Sequence, residues 1–256
     1  MRISAPVATK SKRPARYDLK AQDRRRSLAI QIGLTAIVVV FAVALVLYIV
    51  MSHTKKPAAG EAKSIRVTSS SLIKKDGSTE PKAVLSLYED FLCPHCGDFE
   101  KSFGPTVNKL IDTGAVAADY YMVGILDSPQ NQNYSSRAGG AAYCVADESI
   151  DAFRRFHAAL YAQQPSETAA VYPDNAQLAE TARQAGAGGK VADCINSGRY
   201  TEMVKGLAAA TGIQATPTVR INGQDYQYST PDALVAKIKE IVGNVPGLDV
   251  PAPAAS

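Results

Sequence analysis

Two cysteines of this sequence lie close enough to react as a pair: Cys93 and Cys96, with only Pro94 and His95 between them. Thiols at this spacing can hold a metal ion, form a structural disulfide or exchange disulfides with another protein. The redox conditions around the protein and the local structure decide between these uses. The rest of the sequence gives evidence on both points.

The other two cysteines argue against a metal or haem site. A structural zinc site of four thiolate or imidazole ligands needs a second close pair, whereas Cys144 and Cys194 are far apart in the sequence. A c-type haem site needs a histidine directly after the second cysteine, and that position is Gly97. We therefore predict no metal and no other cofactor, which leaves a buried structural disulfide or a redox pair.

The residues around the pair predict a strand followed by a helix. The run AVLSLYEDF is typical of a buried strand, and a helix should start at Pro94, because proline is favoured in the first helical turn. A thiol at this junction faces unpaired backbone N–H groups and about half a positive charge from the helix dipole. Both favour the thiolate, and His95 adds a donor or, when protonated, a cation.

A stabilised thiolate is a good leaving group, so a disulfide that contains it is easily attacked and oxidises other thiols. We assign Cys93, the N-terminal and more exposed member, as the residue that a substrate thiolate attacks. Cys96, deeper in the helix, is the leaving group and later resolves the mixed disulfide. Pro94 and His95 are predicted to tune the pair.

The N-terminal part predicts a membrane anchor. Residues 28–51 contain no charge, and at about 1.5 Å per residue they can cross a hydrocarbon core of roughly 30 Å. Residues 1–27 carry nine Lys or Arg against two Asp, which leaves the N-terminus in the cytoplasm. We predict a single-pass protein of the cell membrane, with its later residues outside the cytoplasm, where disulfides persist. A cleaved signal peptide is the alternative, although its apolar stretch is usually only about 7–15 residues.

The residues after the anchor predict one domain between two irregular segments. Residues 52–64 are expected to be a tether, residues 65–243 a domain and residues 244–256 a disordered tail. Inside the domain the pattern is strand, helix, strand, a helical insertion at about 135–210, two strands and a helix, which predicts an α/β fold. The basic tail accounts for more than the whole formal charge of +4, so the domain is not basic and we predict no nucleic-acid partner.

Two distant motifs carry a resemblance to a known family. FLCPHC, at Phe91–Cys96, and GIQATPTVRING, which begins at Gly212, resemble the DsbA-like branch of the thioredoxin superfamily. The resemblance covers roughly residues 65–243 and implies a thioredoxin-like fold with an inserted helical domain, here preceded by a single transmembrane helix. It also implies a cis peptide bond at Thr216–Pro217 beside the pair, where substrate binds. An ordinary trans proline that opens a strand is the alternative.

This sequence departs from the family at one position. Family members often have a buried Glu or Asp six residues before the first cysteine, which assists proton transfer at the second, but here that residue is Leu87. Glu89 and Asp90 lie nearby in the predicted turn. Assistance to the proton transfer is one role open to them, and a position as solvated loop carboxylates is at least as well supported. Proton transfer to Cys96 is then left to water. His157 is predicted to lie on a helix surface.

Cys144 and Cys194 are predicted to form a structural disulfide. Both lie in the helical insertion, and two remaining thiols in an oxidising compartment are expected to pair. A second redox pair is the alternative, but neither residue has a C-x-x-C partner.

The function that follows is an extracytoplasmic thiol:disulfide oxidoreductase that donates the Cys93–Cys96 disulfide to reduced exported proteins during oxidative folding. The resemblance implies re-oxidation by a membrane quinone-linked partner of the DsbB or VKOR type. An isomerase or reductase on the same fold is one alternative. A non-catalytic binding module of the cell envelope, with both cysteine pairs structural, is the other.

Overall fold

The computed structural model describes residues 63–248, together with the isolated positions Leu34 and Phe41. Apart from those two positions, the predicted basic tail, membrane anchor and nearly all of the tether therefore lie outside the described residues. Within the described part of the chain, no helix has both the length and the apolar character needed to cross a bilayer.

A mixed five-stranded sheet forms the centre of the domain. Its strands are β1 (Ile65–Val67), β2 (Val84–Glu89), β3 (Ala117–Met122), β4 (Thr218–Ile221) and β5 (Gln224–Asp225). The strand order is β1-β3-β2-β4-β5, with β2 parallel to β3 and every other pairing antiparallel. Strand β2 is buried almost along its whole length, because it lies in the middle of the sheet, and this burial explains its nearly continuous apolar sequence.

Seven helices of the described residues complete the domain, and five of them are consecutive. They are α1 (Pro94–Asp112), α2 (Tyr134–Glu148), α3 (Ile150–Ala162), α4 (Asn175–Gln184), α5 (Gly189–Asn196), α6 (Thr201–Thr211) and α7 (Pro231–Val242). Helices α2 to α6 form the helical insertion between β3 and β4, within one residue at each end of the predicted 135–210. The α/β class and the thioredoxin-like order of elements are as predicted.

The structure differs from the sequence prediction at the ends of elements. The first strand is only three residues long, because residues 68–73 leave the sheet for turns. Helix α1 continues without interruption through Gly104 and Pro105. A turn at Asn222–Gly223 joins β4 to β5, with positive φ at both residues, and the Asn222 side chain accepts a hydrogen bond from the Val84 amide.

The packed domain extends beyond the predicted boundary at residue 243. Val245 and Leu248 are buried in the hydrophobic core, and the Leu248 carbonyl accepts a hydrogen bond from Lys109 on α1. Residues 244–248 were predicted to be part of the disordered tail, on the basis of their Pro and Gly content. That prediction is wrong for this stretch, because two apolar side chains are enough to fix it against the core. The rest of the predicted tail lies outside the described residues.

Candidate active site

Cys93 caps the N-terminus of α1, directly after β2 and a short turn. Its backbone is extended and Pro94 occupies the first helical turn, so proline costs no hydrogen bond there. The Cys93 carbonyl accepts the amides of Cys96 and Gly97, and the Cys93 amide donates to Asp90. The local sequence therefore presents one thiol at the helix N-terminus and places the other one turn inside the helix.

The pKa of the Cys93 thiol is lowered to about 5. The largest cause is a hydrogen bond from the Cys96 thiol, and burial opposes it; the side chain of Thr216 and the backbone amides of Cys96 and His95 also stabilise the thiolate. Only the two backbone amides are unpaired N–H groups of the first helical turn, as the sequence predicts; the Cys96 thiol and the Thr216 side chain are donors that the helix terminus does not supply. The His95 imidazole, whose side chain is exposed, is not among these causes.

Cys96 has the opposite environment. Its side chain has no exposed surface, and its sulfur lies 3.5 Å from the Asp90 amide. Burial raises the pKa of this thiol, and so do its hydrogen bond to Cys93 and the charge of Glu89. The two cysteines are unbonded in the structure, and in this reduced form the lowered pKa of Cys93 favours its thiolate at neutral pH while the raised pKa of Cys96 favours its thiol. This polarity agrees with the roles assigned to them as attacked residue and resolving residue.

The loop before β4 closes the other side of the pair. The Thr216–Pro217 peptide bond is cis, and the Thr216 carbonyl lies 3.4 Å from the Cys93 sulfur. A cavity of about 360 Å³ opens beside them, lined by His95, Asp98, Phe99, Ser102, Phe103, Thr216, Pro217 and Tyr228. The structure thus brings His95, Thr216 and Pro217 to one cavity, while Pro94 remains exposed at the start of the helix.

Glu89 and Asp90 are buried, and their expected position as solvated loop carboxylates is wrong. Both side chains have no exposed surface, because Glu89 ends the central strand and Asp90 follows it under the helix. Asp90 accepts the amides of Leu92 and Leu126 at 2.9 Å, so it fixes the turn that carries Cys93. Burial raises the pKa of Glu89 to about 8 and that of Asp90 to about 6.

His157 is also buried, so its expected place on a helix surface is wrong. It lies on α3, inside the interface with the sheet, and its Nε2 lies 2.8 Å from a Glu89 carboxylate oxygen. Desolvation lowers the pKa of His157. Apart from its amphipathic spacing in FRRFHAAL, no feature of the sequence indicates that this residue reaches the region of the active site.

Glu100 completes a cluster with these two residues. Glu89, Glu100 and His157 each offer one donor atom, and these atoms lie within 4.8 Å of one another. Carboxylates with an imidazole are a common donor set for divalent metals. In this structure the three groups are hydrogen-bonded to each other: the Glu89 carboxyl group bonds to both Glu100 and His157.

Gln164, which follows the C-terminal end of α3, is a further residue of the site that sequence analysis missed. Its side-chain amide donates to the carbonyls of Phe91, at 3.1 Å, and Cys93, at 2.9 Å. The amide oxygen lies against Gly97, where a Cβ atom would come within 2.4 Å of it. The helical insertion is therefore tied directly to the backbone of the reactive cysteine, and Gly97 leaves the room for that contact.

Cys144 and Cys194 lie apart from this site, inside the helical insertion. They form a disulfide that joins α2 to α5, with a Cα–Cα distance of 5.8 Å. Cys144 is buried and Cys194 partly buried. The pairing is the one expected of the two remaining thiols.

Comparisons with known proteins agree with this architecture. A family model described as thioredoxin matches residues 75–240. The crystal structure of reduced DsbA from Mycobacterium tuberculosis is 66% identical, covers 73% of this chain and 96% of its own, and superposes with a TM-score of 0.72. A reduced disulfide bond oxidoreductase described as DsbG, also from M. tuberculosis, is 66% identical over 75% of this chain and 93% of its own, with the same TM-score of 0.72.

A partial match links the chain to a larger protein. The serine/threonine-protein kinase PknE of M. tuberculosis is 32% identical over 126 residues, which are 48% of this chain. The chain spans only 22% of the length of this curated relative. The family model, in contrast, covers well over half of this chain. The chain therefore belongs to the thioredoxin family, and the domain that carries Cys93 and Cys96 is a DsbA-like thiol:disulfide oxidoreductase.

Proposed function

We propose that this protein is an extracytoplasmic oxidant that donates its Cys93–Cys96 disulfide to reduced exported proteins. The observation that carries the proposal is the lowered pKa of Cys93, about 5. A thiolate that is stable at neutral pH favours the reduced form of the pair, so the oxidised form readily gives up its disulfide. A purely structural disulfide gains nothing from this arrangement.

The proposed reaction uses the different exposure of the two sulfurs. A substrate thiolate attacks Cys93, which is 6% exposed, and the S–S bond to the fully buried Cys96 breaks. A second substrate thiolate then attacks the substrate sulfur of the mixed disulfide, and Cys93 leaves as a thiolate. Two electrons pass from the substrate to the enzyme, whose pair ends as a dithiol.

The cavity beside Cys93 is the proposed binding site for the substrate chain. Phe99, Phe103 and Tyr228 form an aromatic cluster there, with ring centroids 4.9 to 5.4 Å apart. The loop at Thr216 and Pro217 borders the same space and offers backbone groups to an extended peptide. Main-chain contacts of this kind give affinity with little dependence on the substrate sequence.

The location and the partner follow from the sequence. Residues 28–51 are proposed to anchor the protein in the membrane, with residues 1–27 in the cytoplasm. Since the pair is reduced in every cycle, a re-oxidising protein is required, and we infer a quinone-linked membrane protein of the DsbB or VKOR type. Protease added to protoplasts should digest the domain, because the domain is proposed to lie outside the cell membrane. If the domain is digested only after lysis, this topology is wrong.

Two measurements test the direction of the reaction. We expect a glutathione titration to give a reduction potential above that of thioredoxin, about −270 mV, and the protein to accelerate refolding of a fully reduced substrate. A larger effect on a substrate with scrambled disulfides would identify an isomerase instead. If the Cys93–Cys96 pair stays oxidised in glutathione buffers and neither substrate refolds faster, the protein is a binding module and the proposal is wrong.

A further inference from the structure

One side chain of the helical insertion contacts the backbone of the reactive cysteine and has no role in the disulfide exchange described above. This residue is Gln164, which lies two positions after the end of α3 and is partly buried. Its backbone amide donates to the Tyr161 carbonyl at 3.3 Å, so the end of the helix fixes where the side chain starts. The Tyr161 ring also packs on the Phe91 ring, with centroids 5.0 Å apart. The end of α3 is therefore held against the turn that precedes Cys93.

The side-chain amide of Gln164 joins the two carbonyls on either side of Leu92. It donates to Phe91 at 3.1 Å and to Cys93 at 2.9 Å, which uses both hydrogens of the NH2 group. Asp90 holds the opposite groups of the same turn, because its side chain accepts the Leu92 amide and its carbonyl accepts the Cys93 amide. The turn is thus fixed through its N–H groups by Asp90 and through its carbonyls by Gln164.

The Phe91 carbonyl depends on this contact. Phe91 is buried, and among the residues that the structure describes Gln164 is the only hydrogen-bond donor to its carbonyl. A buried carbonyl without a donor is unfavourable, so loss of the Gln164 amide group would favour a rearrangement of the turn. Since Cys93 is only two residues further along the chain, its backbone and its sulfur would move with that turn.

Gly97 leaves room for the oxygen of the same amide group. It is the fourth residue of α1, and its φ is not in the left-handed region that favours glycine. Glycine in a helix is unfavourable compared with alanine, so its presence there needs another reason. A Cβ atom at this position would lie 2.4 Å from Gln164 Oε1, whereas Cβ atoms essentially never come within 3.0 Å of such an atom. The position of Gln164 therefore explains the glycine.

The Cys93 carbonyl connects Gln164 to the reactive thiol. It accepts the amides of Cys96 and Gly97 at 3.0 and 3.2 Å, and the Gln164 side-chain amide at 2.9 Å. The Cys93 sulfur itself lies 3.4 Å from the Thr216 carbonyl, and the groups that lower the pKa of this thiol are Cys96, Thr216 and amides of the first helical turn. A displaced Cys93 backbone would weaken these contacts together.

We propose that Gln164 is a positioning residue for the redox pair. It holds the turn before Cys93 so that the sulfur stays against the Thr216 loop and the N-terminus of α1, and Gly97 is the residue that admits it. The inference deepens the proposed function, because it assigns part of the reactivity of the pair to the helical insertion, and it rests on Cys93 and Cys96 being a redox pair. It does not depend on whether the pair acts as an oxidant or as an isomerase.

Gln164→Ala, made in the full-length protein, removes both hydrogen bonds. Thiolate absorbance against pH gives the Cys93 pKa, and a glutathione titration gives the equilibrium constant for oxidation of the pair. We expect the acid dissociation constant of Cys93 to fall about tenfold, the effect of losing about one hydrogen bond, because the thiolate is then less well stabilised. The oxidised form should be favoured about tenfold for the same reason, which corresponds to a reduction potential lower by about 30 mV.

Two further variants make the test specific. Gln163→Ala is the matched control, because Gln163 is the same residue type one position earlier and is exposed, and it should leave both values unchanged. Gly97→Ala should cause the same shifts as Gln164→Ala, because the new methyl group displaces the amide group. Combining these two substitutions should then add nothing further. Gly97→Ala also supplies the test if Gln164→Ala does not fold.

Thermal unfolding of the oxidised form separates this role from a purely structural one. If Gln164→Ala keeps the wild-type pKa and potential, whether or not its unfolding temperature falls, the proposal is overturned. It is equally overturned if Gln163→Ala causes shifts of the same size, or if the shifts of Gly97→Ala and Gln164→Ala add. A wild-type potential as low as that of a reductase would contradict the proposed oxidant, whereas the comparison of the variants would still decide the role of Gln164.

Discussion

The two cysteine pairs of this domain are placed in the structure in contrasting ways. Cys93 is the N-cap residue of α1 and Cys96 lies in its first turn, where amide hydrogens and a neighbouring thiol stabilise the Cys93 thiolate. Cys144 and Cys194 lie inside α2 and α5, whose backbone groups are already used in helical hydrogen bonds. The comparison shows that position relative to a helix N-terminus, more than the cysteine itself, makes one pair reactive.

The pairs also close loops of very different size. The Cys144–Cys194 bond spans 50 positions and joins two helices of the insertion, so it removes much conformational freedom from the unfolded chain. The Cys93–Cys96 bond closes a single helical turn and restricts the unfolded chain far less. The Cys144–Cys194 pair is therefore suited to stabilise the fold, and the Cys93–Cys96 pair can be reduced and oxidised with little effect on stability.

The largest expected effect comes from removing single members of the reactive pair. Cys93→Ala should abolish disulfide donation, because the buried Cys96 has no exposed sulfur to be attacked. Cys96→Ala should also abolish turnover, but it should accumulate mixed disulfides through Cys93, which nothing then resolves. Non-reducing electrophoresis after exposure to an oxidised partner protein separates the two outcomes. Equal trapping by both variants would mean that the assigned roles of the two thiols are wrong.

The second largest effect is expected in stability. Replacing Cys144 and Cys194 together by Ala should reduce the free energy of unfolding by about 4 kcal/mol in the chain-entropy treatment of a loop of this size. Urea unfolding of the oxidised protein measures this loss. The reduction potential of the Cys93–Cys96 pair, taken as the control, should not change. A large shift of that potential would show that the second pair takes part in redox chemistry.

The order of elements could be predicted from the sequence because each part had a strong local signal. The apolar run before Cys93, the proline at the helix start and the Asn222–Gly223 turn each specify their own backbone, and the structure contains all three. The errors occur where contacts with distant parts of the chain determine whether a segment is ordered or buried. In the sequence, Val245 and Leu248 look like part of a tail. They are ordered because their side chains pack against the hydrophobic core.

The thiols of the site were predictable, whereas their surroundings were not. Cys93, Cys96 and the Thr216–Pro217 bond belong to local motifs, so their chemistry is visible in the sequence. His157 and Gln164 reach the site from the helical insertion, more than 60 positions away in the chain, and no local pattern indicates that approach. Glu89 was judged by its place next to a turn, but the burial of a strand end depends on the helices that pack over it.

The third prediction concerns pH and uses oxidised protein as the reference. The Cys93 pKa falls from roughly 8.5 in an unfolded chain to about 5 when folded. This difference stabilises the reduced protein above the unfolded pKa, and the contribution is lost as the pH falls toward 5. Glu89, whose folded pKa is raised to about 8, has the opposite sign, since its contribution is complete below roughly pH 4.3 and is lost as the pH rises through 8.

The comparison of the two redox forms reduces the contribution of the buried carboxyl groups, because they are present in both, but the Cys93 charge that raises the pKa of Glu89 is present only in the reduced protein. Between pH 5 and 8 the reduced protein should gain stability relative to the oxidised protein, by up to about 1.4 kcal/mol per pH unit for one proton. Parallel urea titrations of both forms at several pH values measure this slope. A slope of zero would contradict the thiolate assigned to Cys93, and with it the contrast between the pairs.

The smallest effect is expected at His95, and it separates two explanations of the reactive pair. The sequence suggests that the imidazole stabilises the Cys93 thiolate, whereas in the structure the stabilising groups are the Cys96 thiol, Thr216 and the backbone amides of Cys96 and His95. His95→Ser keeps that amide and removes only an exposed ring. We therefore expect the Cys93 pKa to rise by less than about one unit, and the reduction potential to fall by less than about 30 mV, the change that corresponds to about 1.4 kcal/mol. Thiolate absorbance against pH, combined with a glutathione titration, measures both quantities on the same sample. A rise of several units would show that the imidazole supplies most of the stabilisation, so that the side chain between the cysteines, and not the helix N-terminus, distinguishes this pair from Cys144 and Cys194.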